Sequence, residues 1–231
     1  MRIRDALYAI ALLLCDNAYG EEPRQDEVSA SSPAAKPGRW PLAAKNKDIL
    51  IKRYQGGVLL IGDSIAAKWP RDLQQRYFGA PFINLGMGGD TTSNVIWRLP
   101  YYDLNEAAAP AIVIIIGTNN LHRDGAKEIA DGIETIVRKV GQAAPKSQIV
   151  VCEILPRGPG GTSYDSAIGE VNTLINARAA SDGYKVLKAH DAIRDHEDRQ
   201  SLYADPVHIN SHGYVVLSEL LTALISSNHP A

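Results

Sequence analysis

The stretch from Ala111 to Ile116 constrains the fold of this 231-residue chain more than any other feature, because all six of its residues are apolar. Successive side chains in a β-strand point to opposite faces of the sheet, so this strand would be apolar on both faces. Such a strand needs cover on both sides, which helices provide when they flank a parallel sheet. The stretch therefore predicts a buried central strand with helices above and below it.

Apolar runs and helical patterns alternate along the rest of the chain. Strands are predicted at 58–61, 82–85, 111–116, 148–154 and 184–187. Helices are predicted at 66–77, 92–105, 125–143, 165–180 and 211–226. This alternation is typical of strands joined by crossover helices. We therefore expect an α/β fold, a three-layer α/β/α sandwich with a mainly parallel five-stranded sheet.

The N-terminus has the pattern of an export signal. Arg2 and Arg4 precede a short apolar run at 6–14, and small residues follow it up to Gly20. This pattern predicts a signal peptide over residues 1–20 that is cleaved after Gly20. The apolar run is too short to span a bilayer, which takes about 20 residues. Cys15 allows a lipid-anchored form as a less favoured alternative to a freely exported protein.

Composition separates a linker from one folded domain. Residues 21–38 are rich in Glu, Ser, Ala and Pro, which predicts a disordered linker. Residues 39–231 are expected to form a single domain. Within them Cys152 is the lone cysteine, so the mature chain can form no internal disulfide, and its apolar surroundings predict a core position. A net charge of -2, with dispersed Lys and Arg, predicts neither nucleic acid nor an anionic membrane as a partner.

Polar clusters follow the first three predicted strands. They are Gly62-Asp63-Ser64, the stretch GMGGDT at 86–91 and the stretch GTNN at 117–120. In parallel sheets the loops beyond the carboxyl ends of the strands share one edge, where ligands bind. We therefore expect the three clusters to line one site.

A serine and a histidine loop in this chain fit nucleophilic catalysis. Ser64 lies at a strand-to-helix turn, and Asp205-Pro206-Val207-His208 precedes the last helix. A short spacing lets Asp205 accept from one ring nitrogen of His208 while the other nitrogen faces Ser64. The G-x-S-x-G motif of α/β-hydrolases is absent from the sequence. The structural alternatives are a helix N-cap at Gly-Asp-Ser and a surface turn before a last helix capped by Ser211.

Two further residues can donate hydrogen bonds to a developing oxyanion. The backbone N–H of Gly89 is accessible because glycine lets the backbone approach a ligand, although a tight turn alone would also favour glycine. Asn119 either satisfies loop carbonyls or projects its amide into the site. The glycine-rich stretch at 86–91 lacks the final glycine of G-x-G-x-x-G, so a nucleotide site is not predicted.

These motifs resemble, in order, the four sequence blocks of the SGNH (GDSL-like) hydrolases. The matching blocks are Gly62-Asp63-Ser64, the region of Gly89, Gly117-Thr118-Asn119 and Asp205-x-x-His208. The resemblance extends from about residue 57 to the last helix. Four stretches are most similar to the catalytic subunits of intracellular platelet-activating factor acetylhydrolase and their bacterial relatives. They are 84–92, Trp97-Arg98-Leu99, 117–120 and Leu155-Pro156-Arg157-Gly158.

The resemblance implies a flavodoxin-like fold and a serine esterase that needs no cofactor. It implies Ser64 as the nucleophile, with Asp205 and His208 completing the triad. It also implies an oxyanion hole made by the Ser64 N–H, the Gly89 N–H and the Asn119 side chain. The implied substrate is a small-molecule ester with an acetyl or other short acyl group. The predicted export signal departs from the intracellular animal enzymes, which disfavours platelet-activating factor as the substrate. The expected short acyl esters include those on sugars.

Two other functions are compatible with parts of the sequence. Asp205, His208 and His212 have a spacing that can supply metal ligands, which would indicate a metal-dependent hydrolase. Ile209 stands where the H-E-x-x-H motif has its glutamate, so this alternative is less favoured. A non-catalytic glycan-binding module on the same fold is the second alternative, because folds can be retained after activity is lost.

Overall fold

The computed structural model describes residues 29–79 and 82–226. The predicted signal peptide at 1–20, with Cys15, and the first part of the predicted linker lie outside these ranges. Across the described ranges, no helix is both long and apolar enough to cross a lipid bilayer.

The centre of the fold is a parallel sheet of five strands in the order β2-β1-β3-β4-β5. The strands are β1 (Leu59–Gly62), β2 (Ile83–Asn84), β3 (Ala111–Ile115), β4 (Gln148–Cys152) and β5 (Lys185–Leu187). All residues of β3 are buried, as its continuous apolar sequence predicts. The predicted strands and their parallel pairing are confirmed.

Helices cover both faces of the sheet. They are α1 (Trp40–Asn46), α2 (Asp48–Arg53), α3 (Ser64–Ala67), α4 (Arg71–Phe78), α5 (Thr92–Arg98), α6 (Ala126–Ala143), α7 (Asp165–Asp182), α8 (Ala189–Arg194) and α9 (Ser211–Ser226). One cluster of buried side chains joins α2, α5, α6 and α7 to one face. A second cluster, which includes Cys152, joins α3, α4, α8 and α9 to the other face. The predicted three-layer sandwich is therefore confirmed.

Prolines explain where the helices differ from the expected bounds. The helix expected at 66–77 is two helices, α3 and α4, because Pro70 between them is extended (φ -63°, ψ 135°). The helix expected at 92–105 ends at Arg98, and a 3₁₀ turn with Pro100 at its second position follows. Proline has no N–H to continue the α-helical bonding, so each helix stops close to one. The sequence did not predict α1, α2 or α8.

The described part of the predicted linker, residues 29–38, packs against the domain that was expected to start at residue 39. The carbonyl of Ala30, which is fully buried, accepts a 2.7 Å hydrogen bond from Thr92 Oγ1. Asn94 Nδ2 donates to the carbonyl of Ala34 at 2.9 Å. The backbone of this segment therefore finds partners on α5, although its side chains offer little apolar surface. Composition measures only the side chains, and that is why it missed this packing.

Candidate active site

The predicted polar clusters meet at the carboxyl edge of the sheet, between β1 and β3. These two strands are neighbours, but the chain leaves β1 towards α3 and α4 on one face and leaves β3 towards α6 on the other. Diverging connections of this kind open a crevice at the strand ends, the usual ligand position in such folds. Ser64 follows β1, and Asn119 lies in a 3₁₀ turn that follows β3.

Close packing and one cap shape the turn that carries Ser64. A Cβ on Gly62 would lie 1.9 Å from the carbonyl oxygen of Ile115, so only glycine fits at this point of the turn. Asp63 Oδ1 accepts the N–H of Ile65 at 2.8 Å and caps α3. The N-cap alternative therefore describes Asp63, while Ser64 begins the helix with its hydroxyl free to face the crevice.

The carboxyl group of Asp63 is buried directly behind this turn. Only 1% of the residue is exposed. Burial raises the pKa of Asp63 to about 7, and the hydrogen bond from Ile65 offsets only part of that effect. The sequence placed Asp63 in the Gly-Asp-Ser motif but gave no sign that its carboxyl would be desolvated.

Ser64, His208 and Asp205 form one hydrogen-bonded chain. Ser64 Oγ lies 2.8 Å from His208 Nε2, although the two residues are 144 positions apart in sequence. His208 Nδ1 lies 2.7 Å from Asp205 Oδ2. A carboxylate can only accept, so Nδ1 carries the proton of the neutral ring and Nε2 accepts from the Ser64 hydroxyl. The three predicted residues therefore lie in the order that proton transfer requires.

Backbone donors hold the carboxylate of Asp205. Its Oδ1 accepts the N–H groups of Val207 and His208, each at 2.8 Å. These bonds, with that from the Val207 N–H the largest contribution, lower the pKa of Asp205 to about 2. The last helix is capped by Asn210, whose Oδ1 accepts the N–H of His212 at 2.9 Å, and not by Ser211 as expected. Ser211 is instead the first residue of α9.

The predicted oxyanion donors lie on the three loops that follow β1, β2 and β3. Within the described residues, the backbone N–H groups of Ser64 and Gly89 have no protein acceptor. Gly89 has a φ of +72°, so the tight turn and the accessible N–H coincide at this residue. Asn119 Nδ2 donates to the Asp90 carbonyl at 2.9 Å. Because an amide nitrogen carries two hydrogens, this bond leaves the second N–H of Asn119 for a ligand.

Three charged residues around the site were not assigned a role by the sequence. Arg157 Nη2 donates to the carbonyl of Thr118 at 2.6 Å, next to Asn119. Asp90 and Arg98 are fully buried and form an ion pair at 2.8 Å. Arg98 and Arg157 belong to stretches that carry the family resemblance, which is the one signal that could have singled them out.

A metal site finds no support in the arrangement of side chains. The parts of the chain that the structure describes contain no group of three or more His, Cys, Asp or Glu side chains that could hold a metal ion. Both ring nitrogens of His208 face protein partners, and His212 is exposed at the start of α9. The triplet of the metal-dependent alternative, Asp205, His208 and His212, therefore does not converge.

Comparison with known proteins gives matches to ester hydrolases. Platelet-activating factor acetylhydrolase IB subunit alpha1 of Rattus norvegicus is 30% identical over 213 residues, covering 84% of this chain and 89% of the subunit. Subunit alpha2 of the same species is 35% identical over 140 residues, so the match spans 59% of this chain and only 60% of the subunit.

A solved structure and a family model extend these matches. A carbohydrate acetylesterase from Sinorhizobium meliloti superposes with a TM-score of 0.62 at 19% identity, covering 76% of this chain and 100% of the other, which shows a shared fold. The model of the GDSL-like lipase/acylhydrolase family matches residues 60–216, most of the described domain. The chain therefore belongs to the GDSL-like lipase/acylhydrolase family.

Proposed function

We propose that this chain is a serine esterase that hydrolyses short-chain, acetyl-like carboxylic esters through an acyl-enzyme on Ser64. The observation that carries the proposal is the chain of hydrogen bonds from Asp205 through His208 to Ser64, with distances of 2.7 and 2.8 Å. A hydroxyl bonded to an imidazole that is itself held by a carboxylate is the arrangement that activates a serine nucleophile.

Each residue has a defined part in acylation. Ser64 Oγ attacks the ester carbonyl carbon while His208 Nε2 takes the hydroxyl proton. His208 then gives that proton to the oxygen of the departing alcohol as its bond to the carbonyl carbon breaks. Asp205 stays ionised throughout, because its pKa is lowered to about 2, and it stabilises the imidazolium. Water repeats the sequence on the acyl-enzyme and releases the acid.

The negative charge on the carbonyl oxygen needs donors that are already in place. The N–H groups of Ser64 and Gly89 and the second amide hydrogen of Asn119 serve as this oxyanion hole. Fixed donors of this kind stabilise the transition state more than the ground state, so they raise kcat. Asn119 is held for this purpose by its bond to the Asp90 carbonyl.

The acetyl preference rests on the relatives. The two relatives described above are named as acetylhydrolase subunits, and one structural neighbour is named as a carbohydrate acetylesterase. We extend the small acyl group to this chain and include acetylated sugars among its substrates. The signal-peptide pattern over residues 1–20 supports action outside the cytoplasm, with a lipid anchor on Cys15 as the less favoured form.

A hydrolysis panel tests this proposal. Acetyl, butyryl and palmitoyl esters, acetylated sugars and lysophospholipids are compared for the wild type and for Ser64→Ala. The variant should lose about 10⁴-fold or more of kcat with an unchanged melting temperature, because a nucleophile is replaced at little packing cost. Ser211→Ala, at the exposed start of α9, is the matched control and should keep full activity.

Four outcomes would contradict parts of the proposal. Activity in Ser64→Ala above a few per cent of the wild type would remove Ser64 as nucleophile. Faster cleavage of palmitoyl than acetyl esters would replace the acetyl preference with a lipase role. No turnover of any activated ester, with saturable glycan binding, would favour the binding module. Fluorophosphonate labelling in EDTA should persist, whereas its loss would favour a metal-dependent enzyme.

A further inference from the structure

The glycine-rich stretch at 86–91 contains a buried carboxylate, that of Asp90, with three charged or polar partners. Asp90 Oδ2 accepts from Arg98 Nε at 2.8 Å, and both side chains are fully buried. Asp90 Oδ1 accepts from Lys36 Nζ and from Trp40 Nε1, each at 3.0 Å. A buried ion pair gives little stability over apolar packing, because both charges lose their hydration. Stability alone therefore does not account for this cluster.

The cluster reaches all three loops that carry the oxyanion donors. Arg98 Nη2 donates to the carbonyl of Gly62 at 3.0 Å, two residues before Ser64. Lys36 Nζ donates to the carbonyl of Gly88 at 3.0 Å, next to Gly89. The carbonyl of Asp90 itself accepts from Asn119, as described above. Each proposed donor is therefore one or two bonded steps from the same ion pair.

We propose that Asp90 and Arg98, supported by Lys36 and Trp40, are positioning residues that hold the donors of Ser64, Gly89 and Asn119 at fixed separations. The proposal rests on the oxyanion hole of the proposed function. None of the four is assigned a contact with the reacting atoms, so their effect reaches the reaction through the backbone of the three loops.

Fixing the separation of the three oxyanion donors would matter for the rate of the reaction. Oxyanion donors have to match a transition state that differs from the substrate by only a small shift of the carbonyl oxygen. A displacement of about 1 Å caused by a change away from the reacting atoms can lower a rate by roughly 10²-fold. Three loops from different strands have no covalent constraint on their separation. The buried pair supplies that constraint, because Asp90 lies in the loop after β2, its carbonyl accepts from Asn119, and Arg98 donates to Gly62.

Lys36 extends this role to the segment before the domain. It lies in residues 29–38, which composition predicts to be a linker, and the packing of that segment on α5 brings Lys36 to Asp90. Part of the site is therefore built from outside the region matched by the family model, which begins at residue 60.

The first test removes Lys36 Nζ and Trp40 Nε1, the two donors to Asp90 Oδ1, and leaves the Asp90–Arg98 ion pair intact. The double variant Lys36→Met/Trp40→Phe loses both bonds to Asp90 Oδ1. Its matched control is Lys45→Met/Trp97→Phe, because Lys45 lies over the ring of Tyr101 and Trp97 stacks on Trp40. No bond from Lys45 or Trp97 to Asp90 exists among the described residues, so the control disturbs the same aromatic stack without touching the carboxylate.

We expect a split between kcat and KM. The Lys36/Trp40 double variant should lose about 10-fold in kcat with KM changed less than about 2-fold, because ground-state binding does not use the oxyanion donors. The Lys45/Trp97 control should keep its kcat, and both should melt at similar temperatures. Asp90→Asn should lose on the order of 100-fold in kcat if it folds. If Asp90→Asn does not fold, the Lys36/Trp40 double variant still tests the proposal.

A double-mutant cycle with Asn119→Ala separates positioning from a general loss of structure. If the cluster acts through the oxyanion hole, the Lys36/Trp40 change should cost less in the Asn119→Ala background than in the wild type. Equal cost in both backgrounds, or a kcat of the double variant equal to that of its control, would overturn the proposal. Retained activity in Ser64→Ala would overturn the proposed function instead, so the two failures are distinguishable.

Discussion

The two aspartates on either side of the Ser64–His208 pair show opposite behaviour. Asp63 is 1% exposed and has one backbone N–H donor, and burial raises its pKa to about 7. The side chain of Asp205 is 45% exposed and has two backbone N–H donors and His208, which lower its pKa to about 2. The more exposed carboxyl group is therefore the stronger acid.

This difference shows that the two sides of the Ser64 site are held in place by different interactions. Asp63 fixes the turn through a single bond from the protein interior, where a negative charge is costly. Asp205 is charged over the whole neutral range because three donors stabilise it, although it lies at the surface. The turn that carries Ser64 is therefore held by a buried side chain, and His208 is held by hydrogen bonds within the loop from Asp205 to His208.

The largest effect should follow from removing the charge of Asp205. In Asp205→Asn the new amide N–H faces His208 Nδ1, which favours the ring tautomer with its proton on Nε2. That tautomer cannot accept the Ser64 proton, so kcat should fall by about 10⁴-fold with little change in KM. Steady-state kinetics check this, with Asp198→Asn on the exposed preceding loop as the control. A loss smaller than tenfold would remove Asp205 from the mechanism.

Two neighbouring amides give the next largest effect. Asn119→Ala should lower kcat by about 10²- to 10³-fold with a small change in melting temperature, since one oxyanion donor is lost. Asn120 is fully buried and bonds to Thr92 and Asp124, so Asn120→Ala should lower the melting temperature more than kcat. Rates and melting curves for both variants are compared. The reverse pattern would make Asn119 the structural residue of the two.

The sequence predicted the sheet well because the signal for it is local. The five apolar runs fall on the five strands, and the continuous run that includes β3 is buried on both faces. Helix bounds were less accurate where Pro70 and Pro100 interrupt an otherwise helical pattern. Short helices such as α8 have too few turns for a periodic pattern, so the sequence did not predict them.

The site was predictable only in part, for a physical reason. Residue types and order predicted that Ser64, which follows β1, and His208, which lies in the loop before α9, would meet. The burial of Asp63 and the partners of Asp90 depend on segments distant in sequence, such as residue 36 and β3. No local pattern records such contacts, so these features became visible only in the folded chain.

The raised pKa of Asp63 should make the stability of the protein depend on pH. That pKa is about 7 when folded against 3.8 without burial, so between these values the folded state binds more protons than the unfolded state. Stability contributed by this group therefore falls as pH rises from about 4 to about 7 and is constant above. Asp63→Asn lacks the charge, so its stability relative to the wild type should improve over that range by on the order of a few kcal/mol.

Chemical denaturation of the wild type and Asp63→Asn at pH 5 and pH 8 measures this effect. The new amide still accepts from Ile65 but adds a buried N–H group, so the absolute stability of the variant can fall at both pH values. The change between the two pH values is the relevant quantity, because the amide does not titrate. A difference that stays constant with pH would show that Asp63 is charged as easily in the folded state as in the unfolded state.

The smallest effect should come from Asp205, in the opposite direction and at lower pH. Its folded pKa of about 2 lies below the ordinary 3.8, so its contribution to stability is fully present above 3.8 and is lost as pH falls through 2. Because nearly half of the side chain is exposed, solvent screening limits this contribution to about 1 kcal/mol or less. Acid denaturation should therefore show a slightly shallower loss of stability for Asp205→Asn than for the wild type. A change of stability with pH as large as that expected for Asp63 would mean that solvent does not screen the Asp205 carboxylate, and that this group behaves like one buried in the core.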